Sequence, residues 1–101
     1  MEKSMKLLEI IELRSVNVNK NNLEKQLNNI IQDLIKAKEI QKIKIYKRLR
    51  IDSDFSIHMF HESDDIDDSG SPLGLRLVAV LKEYGLINHK IFIEFNTNDH
   101  K

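Results

Sequence analysis

The histidines are the side chains in this sequence with the widest chemical range, because a neutral imidazole can accept a proton or bind a metal near neutral pH. The chain has four of them: His58, His61, His89 and His100. His58 is the best candidate for a catalytic residue. We expect it on a central strand beside Arg48, whose charge would favour a neutral imidazole. A purely structural histidine in the sheet is the alternative, since only spacing supports a catalytic role.

The sequence indicates no metal site and no cofactor. Side chains alternate along a strand, so His58 and His61 fall on opposite sides and cannot form a local metal pair. We expect His89 in a turn and His100 in the C-terminal tail. The acidic loop at residues 63–70 begins like a calcium loop, but an arginine stands where a bidentate glutamate is required.

The clearest structural signals lie in the stretch GSPLGLRLVAVLKEYGLINHKIFIEF. Ser71 is a good N-cap, and Pro72 follows at the first helical position, where its missing N–H costs nothing. Apolar residues then recur at helical spacing, which predicts a helix over about 72–84. Gly85 suits a left-handed position after this helix, and the alternation that follows predicts a strand over about 89–96.

The earlier part of the chain has the patterns of one helix and three strands. We expect the helix at about 20–38 and the strands at about 6–15, 41–51 and 55–62. The element order is therefore β-α-β-β-α-β. With a right-handed crossover in each half, this order predicts a single ferredoxin-like α+β domain over residues 1–101. Its antiparallel four-stranded sheet would have the order 4-1-3-2, with two helices on one face.

One face of this sheet would carry no helix. On the first strand, the odd-numbered side has more apolar residues, although it includes Glu9, and we assign it to the core. The opposite face then mixes aromatic and charged side chains, which suits a ligand, a partner or a second copy of the sheet. The residues expected to line a ligand cleft on that face are Tyr46, Arg48, His58 and Glu94.

The hairpin of the second and third strands has an internally consistent register in the sequence. If residues 52–54 form a three-residue loop, Arg48 faces His58 and Tyr46 faces Phe60. A slip by one residue would turn the apolar side outward, because side chains alternate between the two faces.

Composition limits the class of protein. A chain of 101 residues with 41% hydrophobic residues can form one core, and its small size makes oligomerisation a useful source of further burial. The formal net charge of zero argues against a general binder of polyanions. The absence of cysteine excludes disulfides and thiolate metal sites. With no signal-peptide core and no apolar run of membrane-spanning length, the sequence predicts a cytoplasmic protein.

Leu75 and Val78 add apolar surface outside the main apolar stripe of the second helix. A broad contact with the first helix would account for them, and so would a subunit interface.

The motif SIHMFHES at residues 56–63, the GSPLG stretch and the strand order resemble a small uncharacterised family within the dimeric α+β-barrel superfamily. Antibiotic-biosynthesis monooxygenase-like proteins belong to that superfamily, in which two ferredoxin-like subunits pack their sheets into a shared barrel. The resemblance implies a homodimer that is oxygenase-like, but it carries no catalytic motif. Haem-degrading members rely on a helix histidine with an asparagine and a tryptophan. This chain has no tryptophan, and residues 72–84 contain no histidine.

The sequence leaves two main hypotheses of function. The first is a homodimer that binds a small molecule in a cleft at the open sheet face. The alternative is a non-catalytic interaction or structural module that uses Leu75, Val78 and the open sheet. Nucleic-acid binding through Lys44, Arg48 and Arg50 is disfavoured, because a run of acidic residues follows this basic strand.

Overall fold

The computed structural model describes residues 5–16, 20–37, 42–51, 53–63 and 69–95. Its elements, in chain order, are β1 (Met5–Ser15), α1 (Lys20–Ala37), β2 (Lys42–Lys47), β3 (Asp54–Ser63), α2 (Pro72–Leu81) and β4 (Gly85–Ile93). The strands form one antiparallel sheet in the order β2-β3-β1-β4. This order is the predicted 4-1-3-2 read from the other edge, and the ferredoxin-like α+β fold is therefore confirmed.

The core lies between the helices and the odd-numbered side of β1, as predicted. The buried apolar side chains come from both central strands and both helices: Ile11, Leu13, Leu23, Leu27, Phe55, Ile57, Met59, Leu73, Leu77 and Leu81. Glu9 lies in the same layer and is only 1% exposed. A carboxylate at such a position must find partners, because burial of an unpaired charge is very costly.

The second half of the chain differs from the prediction at the end of α2. The cap is as expected, since the Ser71 hydroxyl accepts a hydrogen bond from the Gly74 N–H at 2.9 Å. The helix stops at Leu81, however, and β4 begins already at Gly85. The reason is the pairing of β4 with the whole end of β1, from Gly85 opposite Ser15 to Ile93 opposite Leu7.

Two smaller predictions in this region are wrong for the same reason. His89 lies inside β4, opposite Ile11, and not in a turn. Gly85 does not adopt a positive φ. Its importance is steric, because a Cβ at this position would collide with the backbone oxygen of Arg14 on the neighbouring strand.

The predicted register of the β2–β3 hairpin is wrong by four residues. Tyr46 lies opposite Ser56 and Lys44 opposite His58, whereas Phe60 lies opposite Lys42. The strand ends at Lys47, and the chain turns before β3 with Arg50 in the left-handed region at φ 66°. The shift is an even number of residues, so every side chain keeps its predicted face.

The two additional apolar residues of α2 do not share one environment. Val78 packs against the core and is partly buried, which agrees with the first of the two explanations given for it, a contact within the chain. Leu75 is 44% exposed. Leu75 and Val80, which is 43% exposed, are therefore the large apolar residues of α2 that remain on the surface.

Candidate functional site

The predicted ligand residues lie on the open face of the sheet, but they do not form one site. Tyr46 and His58 are the pair that does meet: their ring centroids are 4.8 Å apart with the planes inclined at 60°. His58 Nε2 also lies 2.9 Å from the Ser56 hydroxyl. His58 is thus held by a tyrosine ring and a serine, and the residue opposite it on β2 is Lys44.

Arg48 does not lie opposite His58, because the hairpin register differs from the expected one. Its Nη1 donates to Asp54 Oδ2 at 3.1 Å, and Arg14 Nε lies 3.6 Å from the other carboxylate oxygen. Desolvation raises the pKa of Asp54, but hydrogen bonds from Ser53 and Arg48 and the charge of Arg14 outweigh it and lower the pKa overall. Asp54 therefore remains ionised and pairs with one nitrogen of each guanidinium group.

The described residues form a cleft at each end of the sheet on its open face. The first has a volume of about 470 Å³, and its walls include Glu12, Arg14, Tyr46, Arg48, Asp54 and Asn88. The second has a volume of about 490 Å³, and its walls include Lys6, Leu8, Phe60, Phe92 and Glu94. Tyr46 and Arg48 thus line one cleft and Glu94 lines the other, while His58 is a wall residue of neither.

A group of polar side chains on the other side of the sheet was not predicted. Glu9 lies at its centre and receives hydrogen bonds from three residues. His61 Nε2 lies 2.9 Å from Oε1, and His89 Nε2 lies 2.6 Å from Oε2. The Ser71 hydroxyl donates to Oε1 at 2.7 Å, and the Ser71 N–H donates to Oε2 at 3.1 Å. We call Glu9, His61, Ser71 and His89 the Glu9 cluster.

The register of the sheet positions the two imidazoles around Glu9. Glu9 itself pairs with Met59 on β3 and with Ile91 on β4. His61 pairs with Leu7 and His89 with Ile11, so the histidines flank Glu9 diagonally from its two neighbouring strands. Diagonal neighbours on one face of a sheet are within reach of long side chains.

Two glycines leave the room that the Glu9 cluster needs at the start of α2. A Cβ at Gly74 would collide with the Glu9 carboxylate, and a Cβ at Gly70 would collide with the His89 ring. Gly70 also has φ 113°, a conformation that L side chains rarely adopt. The sequence GSPLG therefore serves two purposes: it caps the helix and brings the backbone close to Glu9.

The hydrogen bonds that Glu9 accepts keep its carboxylate ionised. Burial raises the pKa of Glu9, but the bonds from His61, Ser71 and His89 lower it more, and the pKa falls to about 2. Because an ionised carboxylate only accepts hydrogen bonds, each imidazole Nε2 must carry a hydrogen. The cluster is thus a buried carboxylate that orients two histidines, an arrangement that can hold or transfer a proton.

The sequence contained a partial signal for the Glu9 cluster. Glu9 already stood on the predicted core side, and His61 has the same parity as the core residues of its strand. His89 was missed because it was expected in a turn.

No group of three or more histidine, cysteine, aspartate or glutamate side chains within the described ranges is positioned to hold a metal ion.

Comparison with known proteins identifies the fold and not the activity. No family model matches the sequence, and no curated protein matches it. Several solved structures do match the fold. A protein from Bordetella bronchiseptica, named as a candidate antibiotic biosynthesis monooxygenase, has 9% identity and a TM-score of 0.63, over 92% of this chain and 98% of its own.

Two further structures agree with this result. A conserved protein of unknown function from Bacteroides thetaiotaomicron, named as a possible oxidoreductase, has 12% identity and a TM-score of 0.62, over 90% of this chain and 98% of its own. A protein from Mycobacterium tuberculosis has 12% identity and a TM-score of 0.62, over 95% and 99%. The chain thus shares its ferredoxin-like fold with these proteins. Neither helix in the described part of the chain is long and apolar enough to cross a membrane.

Proposed function

We propose that the protein is a homodimer in which two copies pack their open sheet faces together and bind a small molecule between them. The observation that carries this proposal is the composition of the open face. Phe92 is 50% exposed and Tyr46 is 48% exposed, and they share this face with Leu8, Ile10 and Phe60. Exposed aromatic surface of this kind is typical of interfaces and ligand sites.

The charges of the open face also support association. Glu12 lies 3.4 Å from Lys90 Nζ and accepts a hydrogen bond from Asn88, and Asp54 binds both Arg14 and Arg48. Charges that are paired within one copy need fewer new partners when a second copy covers them. Apolar side chains between these pairs would then supply the contact.

The clefts are the proposed ligand sites. Tyr46 and Arg48 would hold a ligand in the first cleft, with His58 supporting the Tyr46 ring, and Glu94 would contribute to the second. The first cleft suits a ligand that packs against an aromatic ring and also contacts a guanidinium group. The names of the Bordetella and Bacteroides proteins favour an oxygenase-like or oxidoreductase activity for this chain. Its cytoplasmic location remains a prediction.

Light scattering coupled to size exclusion tests the assembly. We expect twice the 11.9 kDa mass of one chain at micromolar concentration. Phe92→Asp should give monomer, because it introduces a charge into the exposed apolar surface of the proposed contact. Leu49→Asp is the matched control, since Leu49 is 82% exposed on the hairpin loop. A wild-type protein that elutes as a monomer would refute the dimer.

A thermal-shift screen of small molecules tests ligand binding. A ligand should raise the unfolding temperature of the wild type more than that of Tyr46→Ala or His58→Ala. Equal shifts in all three proteins would place the ligand elsewhere.

A non-catalytic interaction module is the second candidate, and the exposure of Leu75 on α2 favours it. In that case Leu75→Asp would abolish association while Phe92→Asp would leave it intact. The two substitutions therefore separate an interface on the helix from an interface on the sheet.

A further inference from the structure

We propose that the Glu9 cluster is a general acid–base site that accepts a proton from a small, electrically neutral organic acid. His61 and His89 would touch the substrate. Glu9 would be a positioning residue that acts through them. This site lies on the helix-facing side of the sheet, so the proposal is independent of the first cleft and of the dimer, although His61 is also a wall residue of the second cleft.

The accessibility of the three side chains differs in the way that such a site requires. Glu9 is 1% exposed, whereas His61 and His89 keep 16% and 17% of their side-chain surface accessible. The imidazoles are therefore the route by which solvent or a substrate reaches the buried carboxylate. A hidden carboxylate behind an accessible imidazole is the arrangement that orients a histidine base.

The charge of the Glu9 cluster determines the class of substrate. Glu9 is ionised and its surroundings in the sheet register are apolar: Leu7, Ile11, Met59 and Ile91. A substrate anion would be repelled by the carboxylate at short range. A neutral C–H or O–H acid would not be repelled, and its proton would convert an imidazole into a cation next to Glu9.

The reaction would thus exchange a hydrogen bond for an ion pair. When a neutral imidazole takes up the proton, the charge of the resulting imidazolium offsets that of the Glu9 carboxylate. The donors needed to hold Glu9 in place are already present in Ser71, at the N-terminal end of α2. No rearrangement of the protein is required at the moment of transfer.

The probe is 5-nitrobenzisoxazole, a neutral C–H acid whose elimination reports general-base catalysis. The imidazole takes the proton from C3, the C–H electron pair completes the nitrile, and the N–O bond breaks to give a coloured phenolate. The imidazolium then returns its proton to water. We expect the rate per protein to saturate with probe concentration and to exceed that of free imidazole by about 10²-fold.

The decisive variants are His61→Gln and His89→Gln. A glutamine side chain can still donate a hydrogen bond to Glu9, so the fold is kept while the base is removed. At least one of the two should bring the rate down to that of free imidazole. Circular dichroism and the unfolding temperature of each variant establish that it remains folded.

Glu9→Gln tests the positioning role by separating kcat from KM. Without the carboxylate, the imidazole rings lose the acceptor that fixes their orientation, so kcat should fall while KM changes little. Glu9→Asp should restore part of the wild-type kcat. A role of Glu9 in stability alone would change the unfolding temperature and leave the kcat of the folded protein where it was.

Two results would overturn the proposal. One is a wild-type rate no greater than that of free imidazole at the same concentration. The other is a loss of activity in His58→Ala with none in the two glutamine variants, because the base would then lie on the open face. That second outcome would count against this site while supporting the proposed ligand role of the open face.

Discussion

The two faces of the sheet both carry histidines and carboxylates, but in the described part of the chain only the helix-facing side holds a carboxylate that is fully buried. His58 and His61 lie on the same strand, three positions apart, and point to opposite faces. His58 contacts an exposed tyrosine, whereas His61 binds a carboxylate that is 1% exposed. The face of the sheet to which each histidine points therefore determines the chemistry available to it, more than its neighbours in the sequence do.

The carboxylates of β1 give the same comparison. Glu9 has four hydrogen bonds from fixed donors, and Glu12 lies on the open face with 46% of its side chain exposed. Exposed ion pairs contribute little to stability because solvent screens them, whereas removal of one buried partner leaves the others unsatisfied. Substitutions at these two positions should therefore have very different consequences.

Glu9→Ala should have the largest effect. It leaves the donors of His61, His89 and Ser71 without their acceptor, and we expect a loss of about 3–5 kcal/mol in the free energy of unfolding. Glu12→Ala is the matched control on the same strand and should cost less than about 1 kcal/mol. Urea unfolding of both variants makes the measurement, and equal losses would contradict the contrast between the two faces.

The pH dependence of stability should come next. Glu9 has a pKa of about 2 in the folded protein, against 4.5 for an unperturbed glutamate. Because the folded-state pKa is lowered, its contribution of about 3 kcal/mol is present above pH 4.5 and is lost as the pH falls towards 2. Urea unfolding between pH 6 and pH 2 should show a steeper loss for the wild type than for Glu9→Gln. Parallel curves would exclude a lowered pKa for Glu9.

Gly74→Ala should have the smallest effect of the three. Its Cβ would collide with the Glu9 carboxylate, and overpacking of this kind costs about 1–3 kcal/mol. The cost should shrink in a Glu9→Ala background, where the collision is absent. A double-mutant cycle measures this coupling. Additive losses would mean that Gly74 is required by its backbone and not by the space for Glu9.

The fold could be predicted from sequence because it depends on repeated local patterns. The alternation along β1 assigned its odd side to the core, and the Ser71–Pro72 signal placed the start of α2 correctly. The hairpin register could not be predicted in the same way. It depends on where β2 stops, and the left-handed Arg50 that allows the longer turn leaves no strong mark in the sequence.

The candidate site could be predicted only in part for a related reason. Tyr46 and His58 meet as a consequence of parity, which the register shift preserved. The prediction placed Arg48 and Glu94 with Tyr46 and His58 because it treated the whole open face as one site. The sheet is long enough that its two ends form separate clefts. The Glu9 cluster needed diagonal contacts across three strands, and these follow from the pairing of β4, which the expected turn at His89 concealed.

The sequence separations within the Glu9 cluster bear on the order of folding. Glu9 meets His61 across 52 residues, Ser71 across 62 and His89 across 80. Contacts this distant carry a high loop-closure entropy and require β1 to be paired on both sides first. We therefore expect the Glu9 cluster to form after the folding transition state, so that it slows unfolding more than it accelerates folding. The same few hydrogen bonds would then determine how long a folded molecule persists between unfolding events.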